Sequence, residues 1–304
     1  MHEPRNGGDP SADPPPLRQP IDNVAQATPA PEHRRPSLRR RGLAPLLYLL
    51  TWVTTTLVGG FSYAAAVMTV LTLHELGHYL QARHNGIPAS LPFFIPIPLP
   101  PFGTMGAVIA MRSHSAGSRA LFDLAITGPL AGLVPALLFS AIGLQLSEVQ
   151  PIETTEESFV SLGTPLVFQW LTSLSFGSIP EGHTLVLHPI AFAGWVGIFI
   201  TALNLLPIGQ FDGGHIFYTL LPHRAYFVSL TLVSTGIVAI IADGFSGWEI
   251  GVWPWSLMIA IILLLGVRHP PTADIDAPLD WRRRLLGVAT LLFVLIGFTP
   301  RPFP

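Results

Sequence analysis

The sequence predicts an all-α polytopic membrane protein, with about seven transmembrane helices and a re-entrant, β-like loop after the second. Three observations predict it. Of 304 residues, 49% are hydrophobic and only 11% charged, where a soluble domain carries about 25% charged residues; mean hydropathy is +0.50. Several apolar runs approach the roughly 20 residues that a helix needs to cross a bilayer. Between two of them lies an apolar stretch so rich in proline that it cannot be a regular helix. The chain has no cysteine, which excludes disulfides and thiolate ligands, so a metal would have to be held by His, Asp or Glu.

Residues 1–42 are rich in Pro, Arg, Asp and Ala and bury too little to order themselves, so they read as a disordered cytoplasmic tail ahead of one domain over 43–300. The cluster Arg34, Arg35, Arg39, Arg40 and Arg41 reads as an orientation signal, and the membrane entry just after it argues against a nucleic-acid partner. Spans are expected at 43–60, 62–83, 120–146, 186–206, 224–242, 251–267 and 284–299. With a cytoplasmic N-terminus, the inner loops would hold Arg83, Arg112, Arg119, Arg224, Arg268, Arg282, Arg283 and Arg284. The outer segments would hold Glu148, Glu153, Glu156, Glu157, Glu181, Asp243 and Glu249, with Arg301. That is the positive-inside asymmetry, and it supports both the count and the orientation; a multi-pass protein of the cell (inner) membrane is expected. The prolines of 87–101 make a re-entrant loop, and Gly103, Thr104, Met105 and Gly106 open an extended stretch whose edge could pair with an unwound peptide. Gly128-Pro129-Leu130-Ala131-Gly132 allows a neighbouring helix to come close. Residues 147–185 form the one sizeable outer segment, with an interfacial helix over 166–171.

Inside the second apolar run lies His74-Glu75-Leu76-Gly77-His78. Positions i and i+4 of a helix share a face, so both imidazoles can point at one metal ion, and Glu75 beside them can take a proton from a water. Such groups are costly in hydrocarbon and mark function. A third candidate ligand is Asp212, after the helix breaker Pro207 and before Gly213-Gly214. The second and fourth helices run in the same direction, so Asp212 and the histidines converge in depth. Two His and one carboxylate leave tetrahedral zinc a fourth position for water. His215 and His223 are rival ligands, ranked lower because the Asp-Gly-Gly turn suits a bend that aims one carboxylate inward.

With these motifs together, the chain resembles the site-2 protease family of intramembrane zinc metalloproteases over about residues 45–272. The resemblance rests on His74 to His78, Gly128 to Gly132, and Asn204-x-x-Pro207 followed by Asp212-Gly213. The run from Ala193 to Asn204 and the later His269-Pro270-Pro271-Thr272 resemble the compact plastid and bacterial branch that lacks a PDZ domain. The resemblance implies one zinc ion per chain on His74, His78 and Asp212, with Glu75 as general acid/base and Asn204 near the substrate or the oxyanion. It implies a membrane-protein substrate with a transmembrane helix, cut within the bilayer. Phe211 stands where Leu is commoner in the family. Two other readings remain: a divalent-metal transporter, although no inverted repeat is visible, and a non-catalytic scaffold of the same fold, which would be free to lose Glu75 and Asp212. For His269-Pro270-Pro271-Thr272 the residues themselves give only a turn that stops a helix.

Overall fold

The computed structural model describes residues 38–110, 117–152, 161–247, 251–252, 255–272, 274 and 278–303. The expected tail to residue 37, together with Arg112, Glu153, Glu156, Glu157 and Glu249, lies outside them. Eight helices and four short strands are seen among these residues. Three helices are long and apolar enough to cross a membrane: α1 from Gly42 to His84, α2 (Ser118–Gln145) and α6 (Pro222–Phe245).

α1 (Leu38–His84) starts four residues before the expected end of the tail and is two limbs, because Gly60 breaks the helix with φ 79° and ψ 175°. Thr72 Oγ1 lies 3.5 Å from the Tyr48 hydroxyl. In a straight helix their 24-residue separation would be about 36 Å, so the limbs fold back on one another. That matches the boundary expected between residues 60 and 62. The proline-rich stretch forms an antiparallel hairpin, β1 (Phe93–Pro96) with β2 (Thr104–Val108). It docks along α1: the Tyr63 hydroxyl donates to the Phe102 carbonyl at 2.8 Å, and Thr54 Oγ1 to that of Gly103 at 2.7 Å.

A second hairpin, β3 (Glu148–Pro151) with β4 (His183–Val186), brackets α3 (Leu166–Phe176). The helix was expected and the strands were not, because four-residue strands carry too little alternation to stand out. α4 (Pro189–Asn204) and α7 (Trp255–Leu265) are shorter than the expected spans, whereas α8 (Trp281–Gly297) starts three residues earlier than expected and is about as long. α7 is ended by Gly266 at φ 95°. The core between α1, α2 and α4 is aromatic around the fully buried Trp195, which stacks on Phe199 at 5.3 Å and donates from Nε1 to the Gly163 carbonyl. Asp123 on α2 forms a two-pronged ion pair with Arg283 on α8, both contacts 2.7 Å, and Asp280 caps α8 by accepting from the Arg283 amide. The short α5 (Asp212–Leu220) packs between α2, α6 and α8.

Candidate metal centre

The second limb of α1 carries His74 and His78 one turn apart, and both are buried. Their Nε2 atoms are 3.2 Å apart. Asp212, the first residue of α5, brings Oδ2 to 3.3 Å from each. Three donor atoms thus form a near-equilateral triangle. A tetrahedral zinc site with bonds of about 2.0–2.1 Å has ligand-to-ligand edges of about 3.3 Å, so this set fits a zinc ion in both chemistry and spacing. His74, His78 and Asp212 are also the one group of three or more metal-type side chains found close together among the described residues.

The imidazoles are fixed by what lies behind them. His78 Nδ1 is 2.8 Å from the Leu124 carbonyl on α2. A carbonyl only accepts, so Nδ1 carries the proton and Nε2 turns its lone pair toward the other donors. α2 comes this near because it presents glycines. A Cβ on Gly128 would run into the His78 ring, and one on Gly132 would lie 3.0 Å from the His74 Cβ. On the other side, a Cβ on Gly77 would press on the Thr127 carbonyl at 2.6 Å. The small residues of both helices therefore set the distance at which the imidazoles sit.

Glu75 is 6% exposed, and no described residue donates a hydrogen bond to it. Asn204, the last residue of α4, places Nδ2 3.4 Å from His74 Nε2, so its amide borders the donor triangle. The rival ligand His215 lies one turn beyond Asp212 and pairs with His269 at 2.6 Å, and His223 follows Pro222 at the start of the next helix; neither joins the triangle. None of the four residues of the extended stretch belongs to the metal group. Gly103 packs on Thr54 and Thr55 of the first limb, and Thr104 is buried, its hydroxyl accepting from the Gly106 amide. Tyr63, which holds this turn, is about 16 Å along the helix from His74. Met105 is 47% exposed.

A family model described as peptidase family M50 matches residues 62–242, a stretch that contains all three donors and Glu75. The chain belongs to peptidase family M50. This is the site-2 protease family, and its domain is of the zinc metalloprotease type. Among relatives, the probable zinc metalloprotease EGY1, chloroplastic, of Oryza sativa subsp. japonica is 31% identical over 76% of this chain and 39% of its own length. Its counterpart in Arabidopsis thaliana is 30% identical over 76% and 41%. The probable zinc metalloprotease EGY2, chloroplastic, of Arabidopsis thaliana is 28% identical over 80% and 42%. The resemblance to the plastid branch is thereby borne out. The chain spans about two fifths of the length of these relatives. No solved structure matches. The pairing of His215 with His269, which lies beyond the matched residues, and the support of His78 by a backbone carbonyl had no signal in the sequence; the glycines of α2 did.

Proposed function

We propose that the chain is an intramembrane zinc metalloprotease that hydrolyses a peptide bond within or beside a transmembrane segment of a membrane-protein substrate, as in regulated intramembrane proteolysis. The observation that carries this reading is the donor triangle of His74, His78 and Asp212, with edges of 3.2, 3.3 and 3.3 Å, inside a helical apolar protein.

Zinc, when bound, supplies a Lewis acid for the scissile carbonyl and brings the pKa of water to about 7. The chain's own residues do the rest. Glu75, with no hydrogen bond to satisfy, takes the proton from water and returns it to the leaving amide nitrogen. Asn204 Nδ2 donates to the oxygen on which negative charge develops. Burial of the site strengthens both interactions. A helical substrate hides its carbonyls in its own hydrogen bonds and must unwind to reach Glu75. Gly103 leads into β2, to which Thr104, Met105 and Gly106 belong, and the outer edge of β2 has no partner strand among the described residues; an unwound segment adds there as a third strand.

In this reading the two limbs of α1, with α2, α4, α6, α7 and α8, make seven spans of a multi-pass inner-membrane protein whose N-terminus is cytoplasmic. The positive-inside pattern supports that orientation. His74 and His78 lie about 9–15 Å before the end of α1 at His84, so cleavage falls near the cytosolic end of the substrate span. The partners are a membrane-protein substrate and the lipid bilayer, with no nucleic acid.

Metal analysis of purified protein tests the assignment. Wild type and Glu75→Gln are expected to hold about one zinc per chain, with cleavage lost in Glu75→Gln, while Asp212→Ala loses most of its zinc. A zinc-replete Asp212→Ala would remove the third ligand from the scheme.

A further inference from the structure

His269-Pro270-Pro271-Thr272 follows α7 and has no part in the mechanism above, yet its first residue lies against the helix that carries Asp212. On α5, His215 and Tyr218 stand three residues apart and share a face. The His269 ring stacks on Tyr218 at 4.0 Å between centroids and 12° between planes, and its Nε2 lies 2.6 Å from His215 Nδ1. The direction of that bond follows from a neighbour. His269 Nδ1 is 2.5 Å from the Pro270 carbonyl, which can only accept, so Nδ1 carries the proton. In the neutral ring Nε2 is then the acceptor, and His215 Nδ1–H donates to it.

The same segment is anchored at its other end. The Asp274 carboxylate accepts from the Ser118 amide at the start of α2 at 2.5 Å, and the Asp274 carbonyl accepts from the Ser118 hydroxyl at 2.8 Å. Thr272 Oγ1 is 3.5 Å from that hydroxyl. Pro270 and Pro271 restrict the backbone between the two anchors. His269 thus meets α5, which supplies Asp212, and Asp274, five residues later in the chain, meets α2, which supplies the carbonyl behind His78. α5 has only nine residues and is entered through an irregular turn, so a clasp on its His215–Tyr218 face adds to the packing of α2, α6 and α8 in resisting its tilting.

We propose that His269 is a positioning residue for the metal group: through His215 and Tyr218 it holds the helix of Asp212 at the distance from His74 and His78 that the three donors share. This deepens the metalloprotease reading and rests on it. The test is zinc affinity of the full chain in detergent, by competition with a chromophoric chelator. His269→Phe keeps an aromatic ring against Tyr218 but removes the acceptor, and is expected to weaken zinc binding about tenfold. His269→Gln gives up the stack but offers an amide oxygen to His215, and is expected to stay within about threefold of wild type. If His269→Phe does not fold, His215→Leu breaks the same bond from the other side and is expected to show the same loss. Melting of the zinc-free protein separates a packing role, which would lower stability in both His269 variants without separating their zinc affinities. A His269→Phe or His215→Leu chain that binds zinc as tightly as wild type overturns the inference, as does a His269→Gln chain as weak as His269→Phe. Wild type that binds no zinc overturns the metalloprotease reading along with it.

Discussion

Gly128 has no side chain, and that is what lets His78 reach the carbonyl behind it. A methyl group there would occupy the space of the imidazole ring, so Gly128→Ala must push either the ring or α2 aside. Zinc affinity should fall at least about tenfold, as when the groups behind a ligand are lost, which chelator competition would show. Gly132→Ala meets the His74 Cβ at 3.0 Å and Nδ1 at 3.1 Å, a crowding that small shifts relieve, so its loss should be smaller. Equal losses at the two positions would show that helix spacing as a whole, rather than the ring contact, sets the affinity. Much of this was legible. Two histidines at i and i+4 fall on one helical face whatever the fold, and a carboxylate between a helix breaker and two glycines announces a bend. The bond between His215 and His269 was not legible, because 54 residues separate them and only tertiary packing makes them neighbours.

At the scale of elements, Gly60 and the cap of α8 give separable predictions. Nothing lies within 4 Å of a Cβ built on Gly60, so Gly60→Ala meets no steric barrier beyond its own backbone, held at φ 79°. That conformation costs an L-residue about 1–3 kcal/mol, and denaturant unfolding in detergent should lose that much while the folded fraction keeps its zinc affinity. At the start of α8, the Arg283 amide and then its guanidinium hold the Asp280 carboxyl below its usual range. A depressed carboxyl contributes stability that is fully present above its unfolded pKa of about 3.9 and is lost as pH falls through the folded value. The wild type should therefore lose stability relative to Asp280→Asn as pH drops below about 4, and parallel melting curves would rule the cap out. Arg283→Lys keeps charge but not the fork that grips both oxygens of Asp123, so a double-mutant cycle with Asp123→Asn should give a coupling of about 1 kcal/mol. The turn at Gly60 and the non-helical prolines of β1 were readable as breaks in helical pattern. The pairing of β3 with β4 was not, since their few residues read as loop until the strands are seen side by side.

For the whole molecule, the chain's lack of cysteine makes the seven-span proposal open to direct test. A single cysteine at Arg119, beside the start of α2, should react with a membrane-impermeant maleimide only after cells are opened. One at Leu174, which is 86% exposed on α3, should react in intact cells. Labelling of both from the same side would require a different topology. Helix identity was legible here from composition and length alone, whereas the number of crossings was not: α7 has 11 residues, about 16 Å, well short of the roughly 30 Å hydrocarbon core.

The donors come from distant parts of one chain, and that has a consequence for its birth. His74 precedes Asn204, which itself comes before the carboxylate of Asp212, by 130 residues, so at about 5–20 residues per second the carboxylate follows by at least about 6–26 s of translation. His269 comes 54 residues after His215, which stands on the carboxylate's own helix, about 3–11 s later. While the first helices enter the membrane beside other nascent proteins, the histidines have no carboxylate to meet, and the clasp that steadies it is made later still. On the proposed reading, a ribosome-bound fragment that stops short of Asp212 is harmless to its neighbours, and cleavage competence arrives only once α5 and the clasp on it have been made.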